Sequence, residues 1–330
     1  MNSDSIVKAV LTTLDPNVNN LERTKSYKMI EEYKTNVFHL NDLPVLCGSN
    51  QHPSVILFGL QCLEHRIKRS WNQITVEMKG TIKESLFQLA LNLQNMIPVS
   101  AERKVVSSVL AHLFVYLIKC EWPQHWPSML DEFFTLGRKG QTQAKLTLNT
   151  FLRLYEDVMQ FQDVPQPRRR DIISTLNDNL LLLFSFAFEI ILDQLRILES
   201  QANNPQCAIS LCREALAMLS GYLDSCRMDV LSQWKPHGVT EKYAAPELPF
   251  IRLLVNLIWL EGTRIEALDL LLLLLKRKQQ GSDDSNSKLA EVLFTDPMSV
   301  NKILMVLCVC AATIKQIMSI LQAFNLLVII

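Results

Sequence analysis

The sequence is short of glycine, has no cysteine pair at C-x-x-C spacing, carries no net charge and shows almost no apolar–polar alternation of period two. Nine glycines in 330 residues supply few tight turns, and without alternation there is no half-buried strand to connect. The eight cysteines, at positions 47, 62, 120, 207, 212, 226, 308 and 310, fall mostly in apolar helical patterns. They read as small buried hydrophobes of a reducing compartment, not as disulfide partners or zinc ligands. Lys plus Arg equals Asp plus Glu, at 33 each, so the basic excess of a dedicated nucleic-acid module is missing. There is no phosphate loop, dinucleotide fingerprint, Gly-x-Ser-x-Gly elbow or His-Glu-x-x-His. The six histidines are scattered singly. Acidic pairs such as Glu31-Glu32 and Asp283-Asp284 are sequence neighbours, which do not face each other on a helix. No enzyme, cofactor or metal site is expected. The N-terminus lacks the basic region and apolar core of a signal peptide.

What is present is helix. Hydrophobic residues make up 48% and charged residues 20%, enough for a large core and too apolar for disorder. The 13 prolines fall between helical patterns. Residues 3–14 and 21–38 predict a first helix pair. Ile56, Leu60, Leu63 and Ile67 line a third helix, and Ile82, Leu86, Leu89 and Leu93 a fourth, with Ser70 and Gln73 reading as its capping box. Further helices are expected from about residue 100 to the Trp-Pro corner, over 127–137, over 141–162, and over 169–198 as one long element. Others follow from about 205, over 250–260, over 263–278 and over 287–295. A loop at 232–249 carries Pro, Gly and Trp.

Pairs recur about every 40 to 50 residues without a shared consensus, as in HEAT or armadillo arrays. The expected fold is all-α: a HEAT-repeat solenoid, a right-handed superhelix of antiparallel helix pairs. The last run, 303–330, is apolar except for Lys315 and has no polar capping helix after it, so the array reads as truncated. Lys315-Gln316 splits that run into pieces each too short to span a bilayer, so a membrane anchor is not the preferred reading.

The chain is organised around Glu121-Trp122-Pro123-Gln124-His125-Trp126-Pro127. Proline breaks a helix and pushes the residue before it out of the helical region, while each indole supplies apolar surface to bury. Trp122, Pro123, Trp126 and Pro127 therefore predict a tight, aromatic-packed corner, with Pro127 opening the next helix and Asp131 and Glu132 near its positive end. Arg168-Arg169-Arg170 is the one basic cluster. It suits an acidic or phosphate-bearing partner, or caps the carbonyl end of helix 141–162. The structural reading is preferred, because three arginines alone give weak, salt-sensitive RNA affinity.

Four segments carry a family resemblance: Lys119 to Pro127, Gly140-Gln141-Thr142-Gln143, Arg153-Leu154-Tyr155-Glu156-Asp157-Val158, and Pro167-Arg168-Arg169-Arg170-Asp171-Ile172. In order and spacing they resemble the N-terminal part of exportin-5-like nuclear export receptors, within the importin-β superfamily. The resemblance implies importin-β-like repeats over 1–100, exportin-1-like repeats over 101–280 and a further, incomplete repeat over 281–330. It implies a shuttling protein of nucleus and cytoplasm that binds Ran-GTP and carries hairpin or double-stranded RNA such as microRNA precursors, mainly through repeats outside this chain. Nucleoporins are a further implied partner, and a membrane is not. The Ran contacts it suggests are polar positions on the second helices of the first two pairs, Glu31, Lys34, Lys83 and Glu84. The competing reading is a general HEAT scaffold for proteins, without Ran or RNA.

Overall fold

A computed structural model describes residues 3–98, 100–200, 205–225 and 249–278. The loop at 232–248, the helix at 287–295, the repeat at 281–330 and Cys226, Cys308 and Cys310 lie outside the described residues. The described residues are helical throughout, apart from turns. They divide into two compact units, at Arg153 and Leu154.

In the first unit, α1 (Ser3–Leu14) packs on α2 (Asn20–Glu32), which continues into a π-helical turn at Tyr33–Val37. Asn19 caps α2, its side chain accepting the Glu22 N–H at 2.8 Å, which satisfies one of the orphan donors of a helix start. The short α3 (Leu43–Leu46) leads to α4 (Pro53–Ser70) and α5 (Val76–Met96). The cap of α5 is not Ser70 with Gln73. Ser70 is the last residue of α4, its hydroxyl donating to the Arg66 carbonyl at 3.0 Å. A 3-10 turn over Trp71–Gln73 follows, and Thr75 caps α5 by accepting the Met78 N–H. The unit is completed by α6 (Ser100–Glu121), α7 (Met129–Gly137) and most of α8 (Gln141–Tyr155). Gly59 is where α4 meets the α3 turn: an added Cβ would come within 2.8 Å of the Leu46 Cβ, so only a residue without one fits there.

In the second unit, α8 ends in a π-helical turn at Glu156–Gln160, closed by the Phe161 N–H on the Glu156 carbonyl at 2.9 Å. The single element expected over 169–198 is two helices, α9 (Gln166–Asp178) and α10 (Leu180–Glu199). Asn179 makes the break: its side-chain amide donates to the Thr175 carbonyl at 2.8 Å, which its own backbone N–H also uses. Asparagine competes for backbone groups in this way and interrupts a helix that hydropathy alone would run through. Next, α10 packs on α11 (Pro205–Ser225), and α11 on α13 (Arg264–Lys278), which pairs with α12 (Pro249–Trp259). Among the described residues no helix is long and apolar enough to cross a membrane.

Candidate functional site: the Trp-Pro corner and the face of α5

The corner forms where proline grammar places it. The last turn of α6 closes with the Trp122 N–H on the Ile118 carbonyl at 2.9 Å, and the His125 N–H then reaches back to Glu121 at 2.7 Å. The Trp122–Pro123 peptide is cis. Trp122 and Trp126 are buried, Pro123 is half-buried and Pro127 is exposed. The next helix begins at Met129, with Ser128 in the capping position, so Pro127 belongs to the turn and not to the first helical position. Asp131 and Glu132 lie in the first turn of α7, where negative charge suits the helix dipole.

Around the corner the sequence assembles an aromatic cluster from five elements. Phe133 of α7 lies 5.0 Å from Phe114 of α6, 5.1 Å from Phe87 of α5, 5.6 Å from Phe151 of α8 and 6.1 Å from Trp126, between ring centroids. Tilted and edge-on pairs at these separations are favourable beyond the area they bury.

Two lysines one turn apart on α5 fasten that helix to the corner. Lys79 lies 4.9 Å from the centre of the Trp71 ring and 3.0 Å from the Glu121 carboxylate. Glu121 is itself buried and also accepts the Trp71 indole N–H at 2.7 Å. Lys83 lies 4.9 Å from the centre of the Trp126 ring, and the Trp126 indole N–H donates to Glu132 at 3.2 Å. A cation held over an indole in partly dry surroundings is attracted to its negative face. Trp71, Lys79, Phe87 and Phe133 are thus members of the corner that sequence reasoning left out. Sequence does hold one signal: Lys79 and Lys83 are four residues apart, on one face of one helix.

The four polar positions suggested as partner contacts fall in three different settings. Glu31, at the end of α2, and Lys34, in the π-turn, pair with each other at 2.9 Å. Lys34 also lines a cleft of about 350 Å³ with Gln61, Glu64, His65 and Lys68 of α4. There Lys68 pairs with Glu64 at 2.6 Å. His65 keeps an enclosed Nε2 without a partner, and its pKa is held down first by burial, then by Arg69 and Lys34. Lys83 is committed to Trp126. Glu84, its neighbour, is exposed and lines another cleft, of about 340 Å³, between α3 and α5. The four therefore do not gather into one cluster.

Of the arginine cluster, Arg169 is taken up by the end of the preceding helix, its Nε donating to the Val158 carbonyl at 2.7 Å. Arg168 is half-buried and engaged within the protein, and Arg170 is exposed. Burial pushes the thiols of Cys47 and Cys212 up to about 12 and raises that of Cys62 further, which makes them poor nucleophiles. Among the described residues no three His, Cys, Asp or Glu side chains are placed to hold a metal ion.

Comparison with known proteins agrees with this architecture. The Importin-beta N-terminal domain family matches residues 28–92, and the Exportin 1-like protein family matches residues 103–271. Exportin-5 of Homo sapiens is 36% identical over 232 residues, covering 67% of this chain and 19% of the human protein. Exportin-5 of Dictyostelium discoideum is 24% identical over 306 residues, covering 89% of this chain and 26% of that protein. The chain belongs to the exportins of the importin-β superfamily and is an all-α HEAT-repeat protein. Within that family it is an exportin-5-like exportin. It spans about a fifth of the length of the human relative it matches.

Proposed function

We propose that this chain is the Ran-binding and scaffold portion of a nuclear export receptor. The observation that carries the reading is the succession of an importin-β N-terminal match and an exportin 1-like match along one chain. In this reading residues 1–100 are the Ran-binding repeats, 101–280 the exportin-1-like repeats and 281–330 a further repeat. The receptor binds Ran-GTP together with hairpin or double-stranded RNA, including microRNA precursors, and shuttles between nucleus and cytoplasm. Cargo is held mainly by repeats outside this chain, in keeping with its zero net charge. The mechanism is linkage: GTPase and cargo favour the same conformation, so each strengthens the binding of the other.

The polar faces of α2 and α5 are the proposed GTPase surface. Glu31, Lys34 and Glu84 are its contact candidates, and Lys83 serves it by fixing α5 on Trp126. Arg170 is the one member of the arginine cluster left for an acidic partner. Hydrogen exchange measured on the chain with saturating Ran-GTP is expected to slow over residues 20–37 and 76–96, and to be unchanged with Ran-GDP. Exchange that does not respond to Ran-GTP in a folded chain would favour the general scaffold reading instead.

A further inference from the structure

We propose that the cleft between α3 and α5 is a docking groove for a short extended segment of a protein partner, which sets a lysine or arginine against Glu84. The inference rests on the reading of α5 as a partner-binding helix and adds the chemistry of what that helix takes. The floor of the cleft is apolar and buried, with Leu43 on the α3 side and Leu86 on α5. Its rim is polar, with Ser49, Thr81, Ser85, Gln88 and Asn92 around it. The Thr81 hydroxyl donates to the Glu77 carbonyl at 3.1 Å, the Ser85 hydroxyl to the Thr81 carbonyl at 2.8 Å, and the Asn92 amide to the Gln88 carbonyl at 2.9 Å. The hydroxyl donors of Thr81 and Ser85 are spent on the helix backbone, which leaves their oxygens as acceptors, while Asn92 keeps a second amide hydrogen and Gln88 and Ser49 can both donate and accept.

Among the described residues Glu84 is the only charged side chain that lines the cleft. The adjacent cation, Lys83, is held over Trp126. A carboxylate beside two hydroxyl acceptors favours an occupant that brings donors and a positive charge, and such hydrogen bonds are stronger than neutral ones. The apolar floor suits the methylene stem that lysine and arginine lay along a surface while the charged head reaches out.

Size selects among basic occupants. A space of about 340 Å³ lies near the lower end of the roughly 300–1,000 Å³ typical of ligand pockets. It holds one or two side chains and not a packed helix. Thr81 and Asn92 are eleven residues apart, about 16 Å along α5 at ~1.5 Å per residue. That length matches about five residues of extended chain at ~3.3 Å each.

The test uses a fluorescein-labelled peptide with a Leu-Lys-Val-Arg-Leu centre in a Gly-Ser frame, and a matched peptide with Gln in place of Lys and Arg. Anisotropy titration of the 330-residue chain is expected to show the basic peptide binding about tenfold tighter, as one charged hydrogen bond would give. Glu84→Gln is expected to remove that preference with an unchanged melting curve, since Glu84 is exposed and makes no ion pair among the described residues. Glu77→Gln, exposed on the same helix outside the cleft, is expected to retain it. Glu84→Lys is expected to bind a Glu-bearing version of the peptide instead. Equal affinity for the two peptides, or a preference that survives Glu84→Gln, would overturn the proposal. Titration of the unsubstituted chain with Ran-GTP separates the two readings. A groove that prefers the basic peptide in a chain that ignores Ran-GTP overturns the GTPase role alone. Ran-GTP binding without peptide preference overturns the groove alone.

Discussion

Replacing Trp126 by alanine is expected to destabilise the first unit by about 3–5 kcal/mol, the range for a buried aromatic truncated in a packed core. Trp126 is 3% exposed and packs on Phe87 and Phe133, at 6.1 Å from each ring centre. Its indole N–H bonds Glu132 and its face holds Lys83. The substitution thus removes a hub that joins α5, α7 and the corner, and the elements around it are too firmly connected to close the void. Urea unfolding monitored by circular dichroism reads the loss as a lowered midpoint. A variant that unfolds within about 1 kcal/mol of the parent, an ordinary surface effect, would show that the corner does not hold these helices together.

Glu121→Ala is expected to cost about 3 kcal/mol, even though it removes fewer atoms. The carboxylate is 7% exposed and the Lys79 side chain 17%, so the loss leaves a half-buried ammonium and a buried indole N–H without their acceptor. Breaking a buried pair from one side carries a penalty of this order, whereas replacing both partners need not. The double variant Glu121→Leu with Lys79→Met is therefore expected to recover more than half of the loss. A double variant no more stable than Glu121→Ala alone would contradict the assignment of that cost to an orphaned charge.

The sequence made the corner legible because proline acts locally: it stops α6 and bends the chain whatever lies around it. The residues that complete the corner act at a distance. Phe87 and Phe133 are 46 positions apart, and their helical stripes look like any other apolar face until α5, α6 and α7 are packed. Lys83 was legible as a polar position on α5, but not as a cation over an indole, because spacing gives the helix face and not the neighbour it meets. The errors at helix ends share a cause. Ser70, Pro127 and Asn179 all have chemistry that permits more than one role at a boundary, and the backbone hydrogen bonds around them decide which one is taken. Ser70 closes α4, Pro127 stays in the turn, and Asn179 divides α9 from α10. The π-turns that end α2 and α8 leave no mark in hydropathy, since one wider turn hardly shifts a 3.6-residue stripe.

Arg169 illustrates what composition does not separate. Three successive arginines read alike, yet one is spent on the carbonyls of Val158 and Met159 and another stands exposed. The family resemblance was legible for a different reason: its segments follow one another closely, through the corner, α8 and α9.

The most direct measurement is a titration of the purified 330-residue chain with Ran loaded with a non-hydrolysable GTP analogue or with GDP, at physiological salt. The account predicts at least about tenfold tighter binding of the GTP form, a coupling within the ordinary range for a nucleotide-controlled partner. Equal affinity for the two forms, or no binding by a chain shown to be folded and helical, would contradict it.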